Sequence, residues 1–228
     1  MSSRQLIEAH RLTKIYKDGT KALNSVDLQI EKGQFVVITG ISGSGKTTLL
    51  NILGLLSLPT NGSYFFLDEN VLSLSDSEKA KLRLNKIGFV FQDFELDERM
   101  SVQNNIAVPL ILKGVKAQEG KKKISEMASK LGITNILKKK AGQISGGQKQ
   151  RVAIARALIN EPEVIFADEP AGNLDSKNHD VIMNIFKSLN SEGKTIIMVT
   201  HNMSDISLAN HWVSIADGKV KDNVVNSN

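Results

Sequence analysis

Cysteine is absent from the 228-residue sequence. This excludes disulfides and thiolate metal sites but says little about compartment. Aromatic residues make up only 5%, and none falls within the basic runs Lys121-Lys122-Lys123 and Lys138-Lys139-Lys140. A nucleic-acid footprint combines basic residues on one face with interleaved aromatics. No nucleic-acid partner is therefore expected, despite the net charge of +5. The basic runs read as solvated helix faces or ends. The alternative is contact with anionic phospholipid headgroups, where each basic residue contributes about 1 kcal/mol. No apolar run approaches the roughly 18 residues needed to cross a bilayer. The start, Met1-Ser2-Ser3-Arg4-Gln5, has no apolar h-region, so no secretory signal is expected. A cytosolic location is the resulting expectation. What is present, 41% hydrophobic and 23% charged residues, suits one large domain or a core with a subdomain.

The most informative stretch is Gly40-Ile41-Ser42-Gly43-Ser44-Gly45-Lys46-Thr47. It fits the pattern G-x-x-x-x-G-K-[ST], with the apolar run Phe35-Val36-Val37-Ile38 before it and a helix-like segment from Thr48 after it. Glycines there let backbone N–H groups turn inward around a polyphosphate, and the new helix points its positive end at the same charge. Lys46 is expected to reach the β- and γ-phosphates, and the Thr47 hydroxyl to ligate Mg²⁺. Gly40, Ser42, Gly43, Ser44, Gly45, Lys46, Thr47 and Thr48 form the expected nucleotide-binding set.

Around this loop, residues 4–38 read as strands, with turn signals at Asp18-Gly19 and Lys32-Gly33. Pro59-Thr60-Asn61-Gly62 breaks the chain, a short strand covers 63–67, and a charged helix covers 77–84, capped by Ser75 or Asp76. Residues 87–91 form a buried strand that ends at Gln92. From Asp93 to about Gln143 the pattern is helical and more polar, an insertion rather than more sheet. Helices at 148–160 and 178–190 then alternate with buried strands at 164–167 and 195–200. Continuous apolar strands separated by helices imply a parallel sheet covered on both faces. Strands at 212–216 and 219–220 are joined by the hairpin signal Asp217-Gly218. Residues 223–228 read as a loose tail. His10, His179 and His211 read as surface residues.

The strand at 164–167 runs into Asp168-Glu169. Two acids after a strand often form a helix cap or a surface turn. Downstream of a phosphate loop, however, an acid at such a strand end typically holds Mg²⁺. Asp168 then orients the metal, while Glu169 polarises the water attacking the γ-phosphorus. Farther upstream, Ile144-Ser145-Gly146-Gly147-Gln148 provides a second anion cradle at a helix start. This stretch, continued by Gln150-Arg151-Val152-Ala153-Ile154-Ala155-Arg156-Ala157-Leu158, resembles the signature sequence of ATP-binding-cassette (ABC) ATPases.

The resemblance covers nearly the whole chain, 1–228, as a single ABC ATPase domain. It implies an α/β fold. A P-loop NTPase (RecA-like) core with a mostly parallel sheet and an N-terminal antiparallel β-subdomain together take up 1–92 and 148–228, and 93–147 form an inserted α-helical subdomain that ends in the signature motif. It also implies that two copies pack head to tail around two ATP molecules, each signature (Ser145, Gly146, Gly147, Gln148) closing on the other copy's phosphate loop. Tyr16 matches the aromatic that stacks on adenine, and Gln92 the glutamine that senses Mg²⁺ and the attacking water. Asn173-Leu174-Asp175 matches the loop that communicates across the dimer, and His201 the histidine that contacts the γ-phosphate. The implied catalytic set is Glu169, His201, Lys46 and Gln92; the implied metal set is Thr47, Gln92 and Asp168; ATP and Mg²⁺ are the implied ligands.

The stretch 166–176 and Val90-Phe91-Gln92-Asp93-Phe94 look like the subgroup serving lipoprotein release, macrolide-type export and antimicrobial-peptide resistance or export. That likeness implies an integral membrane permease as partner, bilayer contact only through it, and a place on the cytoplasmic face of the cell membrane. Phe94, Leu96 and Met100 are the expected lining of the permease groove, with the subdomain core as the alternative for them. A division- or cell-wall-regulatory ATPase without transport, and a soluble ABC ATPase acting on ribosome or DNA, are the alternative functions. Ile144, Ala171, Ala141, Asn104 and the run 96–100 depart from the common pattern, and none of these changes removes a catalytic group.

Overall fold

The computed structural model describes residues 5–225; residues 1–4 and 226–228, and with them part of the expected tail, lie outside it. An antiparallel sheet is built from β1 (Gln5–Ile15), β2 (Lys21–Glu31), β4 (Asn61–Phe66) and β5 (Glu69–Asn70), in the order β2-β1-β4-β5. The second sheet holds β3 (Phe35–Thr39), β6 (Ile87–Val90), β7 (Val164–Asp168), β8 (Thr195–Val199), β9 (His211–Ala216) and β10 (Lys219–Val225). Its order is β10-β9-β3-β8-β7-β6, parallel throughout except for the hairpin strand β10. The α/β architecture is therefore the expected one.

The unbroken apolar strands are explained by what covers them. In β3, Phe35 and Val37 join one core cluster while Val36 and Ile38 join the other. β7 and β8 divide in the same way, Ile165 and Ile196 to the first cluster and Phe166 and Ile197 to the second. A strand buried on both faces has no polar phase, so alternation disappears from its sequence. The second cluster is closed by the antiparallel sheet and by α1 (Lys46–Leu53). The first is closed by α3 (Val102–Leu112), α4 (Ala117–Lys130), α5 (Gly146–Leu158) and α6 (Ser176–Ser191). The helical insertion thus shares one continuous core with the sheet. α2 (Asp76–Lys86) begins at Ser75, whose side chain and Glu78 form a reciprocal capping box. The basic runs lie on the surface as expected, with Lys122 and Lys123 paired to Glu126 and Glu119.

Two expectations are corrected here. The tail is not loose through Val225, because Asn223, Val224 and Val225 pair with Val213, Trp212 and His211 in β9. Nor is His211 on the surface. It is 1% exposed, with Nδ1 3.1 Å from Gln34 Oε1 and Nε2 2.6 Å from Asn223 Oδ1. These two bonds tie the chain terminus to β3's entry, and an Asn-rich polar sequence gives no sign of them. Burial pushes the His211 pKa down from its ordinary 6.5. The folded chain then binds fewer protons there than the unfolded one, so the stabilisation is complete above the ordinary value and declines as pH falls below it. Denaturant unfolding of wild type and His211→Gln is expected to differ most above about pH 7 and less at about pH 5.5. A pH-independent difference would contradict the burial argument.

Candidate active site

Parallel strands β3, β8, β7 and β6 all deliver their carboxyl ends to one edge of the sheet, where ligands of open α/β sheets bind. The glycine-rich loop leaves β3 there. A Cβ on Gly40 would stand 2.2 Å from the Ile215 carbonyl oxygen, and one on Gly45 2.4 Å from that of Ala22. Gly45 also has φ +105°, so only glycine serves at these two positions. Gly45 caps α1 without any side chain, which leaves the first-turn N–H groups facing the loop. Lys46 is 8% exposed, and its ammonium donates to the carbonyls of Gly40 at 2.8 Å and Ile41 at 2.9 Å. The Ser44 hydroxyl is buried without a protein partner.

A cavity of about 860 Å³ opens over this loop. Besides Gly40, Ser42, Gly43, Gly45, Lys46, Thr47 and Thr48, it is bordered by Glu169, His201, Met203, Trp212 and Ser214. The last three were not legible as site residues. Trp212 reads only as a strand aromatic, yet parallel pairing of β9 with β3 brings its indole N–H to Thr39 Oγ1 at 2.9 Å. Tyr16 does not border the cavity; it is 45% exposed, its hydroxyl 3.2 Å from Oγ1 of the bordering Thr48 and the Lys14 ammonium 5.5 Å from its ring centre.

Asp168 ends β7 with Oδ1 3.5 Å from the Thr47 hydroxyl. Burial lifts its carboxyl above the ordinary carboxylate range; the Thr47 bond pulls it down, neighbouring Glu169 pushes it up, and Lys46 pulls it down. Glu169 adopts φ +45°, a costly conformation for a residue with a Cβ. Its N–H is retained by the Val199 carbonyl of β8 at 2.9 Å, and its Oε2 lies 2.5 Å from His201 Nδ1. The strained turn therefore aims the second acid at the residue that follows β8. Beyond β6, Gln92 Nε2 donates to Asn173 Oδ1 at 3.1 Å, and Asn173 Nδ2 donates to Asp93 at 3.1 Å. Gly172 separates Gln92 from Glu169, with its Cβ position 3.2 Å from Gln92 Nε2 and 3.3 Å from Glu169 Oε2.

The signature residues stand elsewhere. Ser145 caps α5 in a capping box with Gln148. Gly147 is required because a Cβ there would lie 2.4 Å from Asn178 Oδ1, in the first turn of α6. Asn178 is in turn held by Asp175, the N-cap of α6, whose carboxyl these bonds keep below its usual range. None of Ser145, Gly146, Gly147, Gln148 and Asp175 borders the loop cavity of its own chain. The donor set that does meet there suits a polyphosphate with a hard cation. It comprises the Lys46 ammonium, helix N–H groups left without a side-chain cap and the Thr47 hydroxyl, with Asp168 Oδ1 3.5 Å from that hydroxyl; Ser44 and Asp168 do not themselves border the cavity.

The groove between sheet and helical insertion departs from expectation. It measures about 830 Å³ and is bordered by Leu56, Phe89, Phe91, Pro109, Leu112 and Arg156 among others. Of the residues expected to line it, Leu96 packs into the first core cluster and Phe94 faces Gly146, while Met100 is absent from the lining. Arg156 donates to the carbonyls of Phe94 and Glu95, turning that segment inward through two positive-φ residues.

These features agree with comparisons to known proteins. The ABC transporter family profile matches residues 23–172. A macrolide export ATP-binding/permease protein, MacB, of Syntrophobacter fumaroxidans is 45% identical over 95% of this chain and 31% of its own length. The chain thus spans about a third of that relative. An uncharacterized ABC transporter ATP-binding protein of Bacillus subtilis, YknY, is 42% identical over 95% of this chain and 94% of its own. Among solved structures, the dimeric bacterial ABC transporter cassette MJ0796 superposes with a TM-score of 0.90 at 40% identity, covering 98% of this chain and all of the other. The same cassette is known in a dimeric post-hydrolysis state bound to ADP and Pi, at TM-score 0.90. The chain belongs to the ABC transporter family, as an ATPase cassette.

Proposed function

We propose that this cassette binds MgATP between two copies of itself and uses hydrolysis to drive a separate membrane permease or mechanotransmitter that exports or extracts a peptide, lipoprotein or drug-like substrate. The observation that carries the catalytic part is the convergence of Lys46, Glu169 and His201 on one cavity, with Glu169 and His201 2.5 Å apart. Hydrolysis at such a site is mostly positioning and charge stabilisation. The loop N–H groups and Lys46 hold the phosphates, and Thr47 and Asp168 would hold Mg²⁺; Gln92, whose amide is bonded to Asn173, would join them as the family resemblance implies. That ion, when bound, supplies charge neutralisation between the phosphates. Glu169 takes the proton of the attacking water, and His201 donates to the γ-phosphate. Tyr16 stacks against the adenine. The position of Ser145–Gln148 outside the chain's own cavity supports a role in trans, on the ATP of the partner subunit. Asp175, at the start of α6 beside the signature helix, is the candidate for communication between the copies.

Two observations support the permease. MacB-named relatives carry a permease in the same chain as the cassette. The ABC transporter ATP-binding protein YknY matches over 94% of its own length, which supports a cassette working with a separate membrane part, on whose cytoplasmic face it would sit; among the described residues no helix is long and apolar enough to cross a membrane. The groove beside Phe89, Phe91 and Leu112 is the docking place the geometry favours. Tagged Glu169→Gln protein, purified in mild detergent from native cells with MgATP, is expected to retain a stoichiometric membrane protein identifiable by mass spectrometry. Leu112→Asp should lose it without loss of ATP hydrolysis. Recovery of ribosomal or DNA-associated proteins in its place would overturn the permease reading.

A further inference from the structure

His179 was expected on the surface and has no part in the mechanism above. It lies instead in the first turns of α6 with Nε2 3.1 Å from Asp205 Oδ1 and 3.2 Å from Asn202 Nδ2. Asp205 is 3% exposed, and its second oxygen accepts the Thr200 hydroxyl at 2.8 Å. Thr200 Oγ1 also accepts the Asn202 N–H at 3.0 Å. Both neighbours of His201 in the chain are therefore tied to the pair His179–Asp205. His201 itself is held by little else; its side chain is 66% exposed and its one bond is to Glu169.

We propose that His179 and Asp205 are positioning residues that fix the His201 turn against Glu169 and link it to the start of α6, whose Asn178 lies against Gly147 of the signature helix. The proposal rests on the catalytic reading of Glu169 and His201. Its logic is that of a buried carboxylate, which must keep its donors. Asp205 takes the Thr200 hydroxyl on one oxygen and has the His179 Nε2 3.1 Å from the other; the imidazole, from a different element, donates to Asp205 in its Nε2–H form and accepts from Asn202 Nδ2 in the other. The groups that face His179 are Asp205 and Asn202 from the turn, and Asp180, whose Oδ1 is 3.4 Å from Nδ1. Asn202 is fixed independently, since its Oδ1 accepts the Ser204 N–H and hydroxyl. Without the imidazole, Asp205 loses a donor in a buried place, and the 200–205 turn is free to shift relative to α6. The phosphate loop lies across the cavity and is untouched, so nucleotide binding should survive while the reacting geometry loosens.

The test uses the full chain and MgATP turnover for His179→Ala, His179→Gln, His201→Ala and the double variant His179→Ala/His201→Ala, with thermal midpoints alongside. His179→Ala should lower kcat about tenfold with KM changed by less than about twofold. Glutamine, whose Nε2–H can meet Asp205, should restore most of the rate. In the His201→Ala background the His179 change should cost nothing further, because its effect passes through His201. A wild-type kcat for His179→Ala, a change confined to KM, or an undiminished loss in the His201→Ala background would each overturn the proposal. Should His179→Ala fold poorly, a glutamine variant that folds yet remains as slow as alanine would overturn it as well. A wild-type rate for His201→Ala would instead remove the catalytic reading itself, whatever His179 does.

Discussion

Replacing Glu169 with glutamine is expected to lower ATP turnover by about 10²–10⁴-fold, the range supplied by a positioned general base. The substitution preserves size and a hydrogen-bonding oxygen, so contact with His201 Nδ1 and the strained turn at φ +45° both survive. What disappears is the capacity to accept a proton. MgATP affinity should change by less than about twofold, since the hydrogen bond of the Glu169 side chain goes to His201 and not to the loop that holds the phosphates. Bound ATP therefore persists, and the dimer that closes on it accumulates. Single-turnover phosphate release alongside nucleotide titration separates the two effects. A variant hydrolysing at the wild-type rate would mean that another group accepts the proton.

Lys46→Ala should fail differently, in binding as well as in turnover. The ammonium sits at the loop mouth on the carbonyls of Gly40 and Ile41, within reach of any anion in the cradle. Hydrogen bonds to charged groups contribute about 1.5–3 kcal/mol, which corresponds to roughly a 10–150-fold loss in MgATP affinity. Charge developing on the transferred phosphoryl group raises the loss in hydrolysis to about 10²–10³-fold or more. Alanine is the best helix former, and Lys46 is the first residue of α1, so the thermal midpoint should hold. Unchanged affinity with unchanged turnover would show that the loop cradles its anion without this residue.

Much of this arrangement was legible in the chain because short-range chemistry encodes it. The phosphate loop needs glycine where a Cβ would stand 2.2 and 2.4 Å from a neighbouring carbonyl oxygen, and that need is visible as a spaced motif. The strands buried on both faces appear as unbroken apolar runs, and Ser75 with Glu78 spells out its own helix start. The misread residues all owe their roles to partners distant in sequence. His211 is buried against Gln34 and Asn223, the half-buried His179 lies beside Asp205, and Trp212 joins the cavity through its pairing with β3. Phe94 and Leu96 read by position as groove lining or subdomain core, and the core holds for Leu96, since Arg156, from α5, turns that segment inward. A single polar side chain has no periodicity, so only the assembled sheet reveals what it faces.

The central claim is a composite site completed by a second copy, since the signature lies outside its own chain's cavity. Light scattering on size-separated Glu169→Gln protein, with and without MgATP, tests it most directly. The account predicts a protomer of 24.9 kDa without nucleotide and a particle of about twice that mass with MgATP. The double variant Lys46→Ala/Glu169→Gln should remain a protomer in both conditions. A Glu169→Gln protein that binds ATP and stays at the protomer mass would contradict the shared site.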